Sequence, residues 1–525
     1  MDGNDGQADA VMTPALRPGG CRCPADPGHD RANLVEIGLE LPPDRTHTLT
    51  DSVEGRVMGS QMFLKASEIK VKETDIQGDV LVGLQKKAEI FLFFKIVESS
   101  LFKKALNELS KHVATTQQTR IYEESHQGDV IKVNIAFTAN GLRDLGSPAP
   151  ANADPAFLDG MKKRAAALGD DVAHDWRPEY RDEVFDGVLL VAAWDKDPET
   201  ARKLARQRAD KVVADFGKTP AGHGVMLEAH REEGVVNVFV VNNKPTFGHE
   251  AFGFADGVSQ PAVEGLHRPV VDDDQSFAGQ DIVAAGNFIL DHAAPAPWMV
   301  NGSYLAFRRL RQDVPAFDHY VSANFAGLAD NKDQFAARLI GRWKDGSPIA
   351  RDPLASNPAH NEDVPTENND FDFGVQGTAQ DRCPFNAHIR RVYPRADIQD
   401  GPGNSEDRRI LRAGIAYNYE KSRPDDRGLL FACYQSSIVD KFEFIQISWA
   451  NASSIPFQPP YVKGSKGVMP DKPGIDLIIG QGAQPRDATW ATGTLKAVPK
   501  FVTSTGGDYF FSPSISGLRH LAGFG

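Results

Sequence analysis

The order of strand-like and helix-like segments between Ala88 and Val241 constrains this chain more than any other feature of it. Ala88–Val97 is a run of β-formers that follows a Gly-Asp turn, and it reads as a buried strand. Phe102, Leu106, Leu109 and Val113 recur at helical spacing, whereas Ile131, Val133, Ile135 and Phe137 alternate as a half-buried strand should. Gly187–Trp194 reads as a further strand, Pro198–Phe216 as a helix with proline in its first turn, and Val235–Val241 as a closing strand. This βαββαβ order specifies the ferredoxin-like arrangement, an antiparallel sheet with helices on one face.

The pattern then resumes. Asn287–Leu290, Ser303–Leu310 and Gly428–Gln435 read as strands, and Gln334–Trp343 and Ser437–Ala450 as helices. They describe a second half of the same kind, with a long insertion over Lys344–Gln380. The expected class is α+β, two ferredoxin-like halves with antiparallel sheets. The expected organisation is an extension over 1–70 rich in Gly, Pro and Asp, a first half over 71–245, a connecting segment over 246–285 and a second half over 286–525. A long irregular link inside a compact chain is more often functional than idle.

Composition narrows the partners. Among 525 residues the formal charge is −13, which argues against a nucleic-acid partner, since phosphate backbones call for clustered Lys and Arg. The densest apolar runs, Ile90–Phe94 and Gly187–Trp194, are strand-length and far short of a membrane span. Four cysteines make no disulfide framework. Cys21 and Cys23, with His29 nearby, lack a second ligand pair and read as part of a tail rather than a metal site. The start carries two early acids and no apolar h-region, so it does not read as a secretory signal, and the expected setting is cytoplasmic.

Three stretches carry chemistry. Ala251–Pro261, AFGFADGVSQP, sets Asp256 on a glycine turn with aromatic neighbours. A carboxyl so placed is a candidate proton carrier, because burial moves carboxyl groups towards working pH. Cys383–Arg395 reads CPFNAHIRRVYPR, and Arg409–Tyr417 reads RILRAGIAY. His388 is a candidate metal ligand, since a neutral imidazole is a common axial ligand of haem iron.

Together the three stretches resemble the dye-decolorising peroxidases, a family of haem peroxidases. The resemblance implies the following roles. One non-covalent haem b is held mainly by the second half, with His388 as axial ligand and no C-x-x-C-H attachment motif in the chain. Asp476, in GIDLIIGQ, accepts the other ring proton of His388, although Leu477 stands where the family often has proline. Asp256 shuttles the peroxide proton, and Arg412 stabilises the charge that develops as the O–O bond breaks.

Arg390 is the expected partner of a haem propionate, with Arg391 and Arg395 weaker choices and Arg409 out of register for the distal role. Gly257, Leu429 and Phe431 belong to the pocket, and Tyr417 is the candidate surface electron relay to bulky donors. The implied reaction uses hydrogen peroxide to oxidise dyes, phenols and other aromatic donors through an oxo-ferryl intermediate. The alternative is a haem-binding protein of the same fold that handles haem or acts as an oxygenase.

Overall fold

The computed structural model describes residues 63–241, 244–268, 282–373, 380, 382–398, 405–418, 426–453, 474–482 and 486–524. Cys21, Cys23 and His29 lie outside them.

The first half runs β1 (Ala88–Ile96), α1 (Ser99–Ser110), β2 (Ile131–Phe137), β3 (Gly187–Ala193), α2 (Pro198–Asp215) and β4 (Met226–Val235). Its sheet order is β4-β1-β3-β2, antiparallel throughout. That is the ferredoxin-like order the sequence specifies. Glu98 caps α1 by accepting from the amides of Ser100 and Leu101, and Asp197 caps α2 in the same way.

The second half repeats the plan. Its elements are β5 (Ser303–Gln312), α3 (Val314–Asn324), α4 (Lys332–Ile340), α5 (His388–Val392), β6 (Leu411–Arg412), β7 (Ile415–Asn418), β8 (Arg427–Gln435) and β9 (Val502–Ser512). A helix of π geometry covers Ile438–Glu443 and Ile445–Ala450. The strand order is β9-β5-β8, with β6 and β7 both paired to β8.

The two halves share one nine-stranded sheet, joined where Phe511 of β9 meets Phe137 of β2. At the other ends β4 returns against β7: a Cβ on Gly234 would lie 2.1 Å from Ile415 Cγ2, so only glycine fits there. The sheet thereby curls into a barrel. Its lumen holds Phe91 and Phe93, each about 5 Å from the Phe307 ring, and a buried ion group in which Arg309 pairs with Glu232 at 3.0 Å and with Asp426 at 2.9 Å. Burying each such phenylalanine contributes roughly 1.5–3 kcal/mol.

Several expectations change. β2 is buried on both faces rather than one, because helices cover one side and the lumen the other. The fourth strand of the first half is Met226–Val235, not Val235–Val241; Asn237–Val241 instead pairs with Lys244–His249 outside the main sheet. Asn287–Leu290 forms no strand: a 3₁₀ turn spans Ala285–Asn287. The segment before residue 70 is docked from Phe63 onward, with Phe63 stacked on His267 at 4.8 Å and Leu64 N–H donating to Leu266 O. Among the described residues no helix is long and apolar enough to cross a membrane.

Candidate active site

Period two in the second sheet builds one wall. On β5, Phe307 and Arg309 enter the lumen, so Arg308, Leu310 and Gln312 face the other way, onto a cavity of about 240 Å³. Leu429 and Phe431 stand opposite Leu310 and Arg308 in register and line the same cavity. Arg412 joins them, because it lies beside Cys433 on the same face of the sheet. The described residues that line this cavity all lie between Glu250 and Val502, in the link and the second half.

The Asp256 loop is fixed from behind. The carboxylate of Glu250 accepts from the amides of Phe252 and Phe254, both at 2.9 Å, and from the Gln312 side chain. Burial pushes the Glu250 carboxyl up from its ordinary range, against those three hydrogen bonds. Phe252 and Phe254 pack on Phe317, 4.4 and 6.4 Å between centroids, so the aromatics of the motif anchor the loop in a core. Gly253 and Gly257 take φ of +91° and +76°, which bend the chain back towards the cavity. There Asp256 Oδ1 accepts from Gly257 N–H at 2.6 Å and from Arg412 Nη1 at 2.9 Å.

His388 opens α5 and lines the same cavity. Its Nδ1 lies 2.8 Å from Asp476 Oδ2, while Asp476 Oδ1 accepts from the amides of Ile478 and Ile479. Burial would raise the Asp476 carboxyl, but the His388 ring and these two amides outweigh it and hold it below its ordinary value. Leu477 does not disturb this contact; it is fully buried in the neighbouring core. Among the described residues no group engages Nε2, the ring nitrogen left to the cavity.

The arginines sort differently from expectation. Arg390 does not line the cavity: it pairs with Asp397 at 2.6 Å, donates to Cys383 O, and stacks over Phe385 at 4.1 Å. Helix geometry gives the reason, since two residues beyond His388 is about 200° round the helix. Arg391 is likewise buried away from it, donating to the carbonyls of Trp449 and Ala452. Arg395, Arg342 and Arg409 do line the cavity. Burial and neighbouring cations bring Arg342 down to about 9, and burial chiefly brings Arg395 down to about 10. Arg342 hydrogen-bonds only neutral groups among the described residues, namely Gly346 O, Asn368 O and Asn369 Oδ1. Arg409 Nη2 and Ser259 Oγ are buried on the cavity with no described partner.

This donor set fits a flat apolar group bearing carboxylates, as haem does: an imidazole nitrogen for iron, apolar walls, a buried Arg342 whose hydrogen bonds go to neutral groups, and an Arg409 nitrogen with no described partner. Tyr417 is not at the surface. It stands five residues from Arg412, on the opposite face of the strand, fully buried in the lumen with Arg309 4.3 Å over its ring. Sequence reasoning missed Arg342 and the orphan nitrogen of Arg409. A signal for Arg308 was present, since arginine pairs in a buried strand, SYLAFRRLRQ, need partners or a ligand.

An antiparallel α+β barrel of two ferredoxin-like halves, with a histidine–carboxylate pair and an arginine–carboxylate pair on one cavity, defines the class. Residues 75–237 match the family model described as the DyP dimeric alpha+beta barrel domain, and residues 250–455 match the Dyp-type peroxidase C-terminal model. The chain is 34% identical over 518 residues to a dye-decolorizing peroxidase of Exidia glandulosa, covering 93% of this chain and 95% of that one. It is 34% identical over 528 residues to one of Auricularia auricula-judae, covering 94% and 96%. A solved ancestral D-type dye decolorizing peroxidase superposes with a TM-score of 0.73 at 36% identity, covering 86% of this chain and 98% of that one. The chain belongs to the dye-decolorising peroxidase family. It is thereby a peroxidase.

Proposed function

We propose that this protein is a haem b peroxidase that reduces hydrogen peroxide and oxidises dyes, phenols and other aromatic donors. Similar proteins carry the name dye-decolorizing peroxidase, and one solved relative is a complex with 2,6-dimethoxyphenol. The observation that carries the reading is the Asp256–Arg412 pair, 2.9 Å apart on the same cavity as His388. Haem handling would need neither member of that pair, so the pair favours peroxidase chemistry.

The balanced reaction is one peroxide and two donor molecules to two waters and two donor radicals. Bound haem would supply a ferric iron that takes two oxidising equivalents from the peroxide and passes them one at a time to the donors. His388 would hold the iron, and Asp476 holds the ring by its Nδ1 proton. Arg342, Arg395 and Arg409 would take the carboxylates of the haem. Asp256 accepts the proton of the near peroxide oxygen and returns it to the far one, which leaves as water. Arg412 stabilises negative charge on the parting oxygens. Leu429 and Phe431 exclude water and carry no proton. A bulky dye does not touch Tyr417, whose ring is buried.

A stopped-flow spectrum of the haem-loaded protein after peroxide addition tests the reading. A rapid Soret change that guaiacol or a dye then reverses is expected. A Soret band indifferent to peroxide would move the protein to haem handling.

A further inference from the structure

Gln260 stands four residues beyond Asp256 and binds both main-chain groups of Arg412. Its Nε2 donates to Arg412 O at 2.5 Å, and its Oε1 accepts from Arg412 N–H at 3.2 Å. The register shows why Arg412 needs such a partner. Ala413 N–H bonds to Ala432 O across the β6–β8 pair, so the N–H and C=O of Arg412, one residue earlier, point away from β8. Among the described residues β6 is an edge, with no strand paired to its outer side. The Gln260 amide supplies one donor and one acceptor there, as the peptide of a neighbouring strand would.

The same loop is tied at other points. Asp256 N–H donates to Gly248 O, and Asn369 Nδ2 donates to Val258 O at 2.8 Å. From the first half, Lys86 Nζ donates to Ala413 O at 2.6 Å and fixes the residue after Arg412. Gln260, Asp256 and Arg412 also border a second, smaller cavity of about 120 Å³. The Asp256–Arg412 contact therefore joins two segments 156 residues apart, and Gln260 binds those segments together main chain to side chain.

We propose that Gln260 is a positioning residue: it holds the Arg412 main chain against the Asp256 loop, so that the two reacting side chains move as one unit. The proposal rests on the reading of Asp256 and Arg412 as the peroxide-reacting pair. Gln260 itself touches no reacting atom. Its loss frees the Arg412 peptide, while Lys86 and β8 keep the strand in place. The expected effect is a displaced guanidinium, and displacements of about 1 Å cost on the order of a hundredfold in rate.

The test uses the haem-loaded protein and its Gln260→Leu and Gln260→Glu variants. Gln260→Leu removes both hydrogen bonds, and Gln260→Glu retains the acceptor for Arg412 N–H. Two readouts are taken: the bimolecular rate with peroxide, and amide hydrogen exchange in peptides covering Arg412 and residues 253–260. Gln260→Leu should keep the parental Soret band, react about ten- to a hundredfold more slowly, and exchange faster in both peptides together. Gln260→Glu should fall between it and the parent on both readouts. If Gln260→Leu does not fold, the Glu variant decides by the same two measures.

A parental rate and parental exchange in the variants would overturn the proposal. So would faster exchange spread over β5 and β8, which would mark a purely structural role. If the parent itself gives no spectral response to peroxide, the peroxidase reading fails, and exchange at Arg412 still decides whether the clamp exists.

Discussion

The Arg412 guanidinium donates to Asp256 Oδ1 at 2.9 Å, and both side chains remain 29% exposed, open to the cavities on either side. A partly exposed pair of this kind contributes little to stability. On the proposed function it supplies a cation and a proton acceptor already in contact before substrate arrives. Removing the cation as Arg412→Leu should slow the reaction with peroxide about a hundred- to a thousandfold. Asp256→Asn, which keeps shape but cannot take a proton, should slow it by no more than that, because a water can carry the proton beside an intact arginine. Haem content should stay at the parental level in both. Stopped flow at acid pH measures the two rates; Arg412→Leu at the parental rate would remove Arg412 from the role.

Loss of the His388 imidazole should act on binding rather than rate. His388→Ala is expected to lose most haem, read as the Soret absorbance after reconstitution and gel filtration. Asp476→Asn should bind haem about ten- to a hundredfold more weakly, since an amide oxygen fixes the His388 tautomer less firmly than a carboxylate. Full haem occupancy with an unchanged spectrum in His388→Ala would mean that another group holds the iron.

Arg390, the expected carboxylate partner, lies off the cavity, whereas Arg409, expected to be out of register for the distal role, lines it, and their variants should separate cleanly. Arg390→Met leaves the buried Asp397 carboxylate without its cation and should cost about 3–5 kcal/mol of stability. Arg409→Met removes a nitrogen that has no described partner together with a 3.4 Å ion pair to the partly exposed Glu406, so it should cost less stability than Arg390→Met and bind haem less tightly. Thermal melting and haem titration of the two variants give four numbers. Equal haem loss in both, with equal melting, would contradict the assignment.

The parts of the fold that were legible were those where one physical signal dominated. β1 and β3 are apolar runs, and α1 and α2 have a clear apolar spacing or a capping acid beside a first-turn proline. β4 escaped because MLEAHREEGV reads as a charged loop, while in the barrel Glu232 is satisfied by Arg309, a residue 77 positions away. Long-range pairing of this sort leaves no local trace. At the site, the motif residues Asp256, His388 and Arg412 come to one cavity, with Asp476 against His388, an arrangement that the separate motifs do not spell out. Arg390 and Tyr417 were misplaced against periodicities already present in the sequence. Two residues along a helix turn a side chain away, and five along a strand put it on the other face.

His267 is buried against Phe63, and its Nδ1 accepts from Val263 N–H at 3.0 Å, which requires the neutral ring. Burial brings its pKa down from 6.5 to about 3. Between those two values the unfolded chain binds the extra proton and the folded chain does not, so stability rises with pH across that window. The contribution is complete above about 6.5 and is lost as the solution is acidified towards 3. The shift corresponds to at most about 5 kcal/mol, and the loss is capped by the cost of undocking the segment around Phe63, which exposes the ring without unfolding the barrel. Acidification from pH 7 to pH 4 should therefore lower the melting temperature of the parent and loosen that segment first. His267→Gln, which retains an acceptor for Val263 N–H and cannot titrate, should start from lower stability and lose less on acidification. Melting curves at the two pH values, with proteolysis near residue 63 as the local probe, measure both effects. An equal fall in parent and variant would show that acid acts on some other buried group.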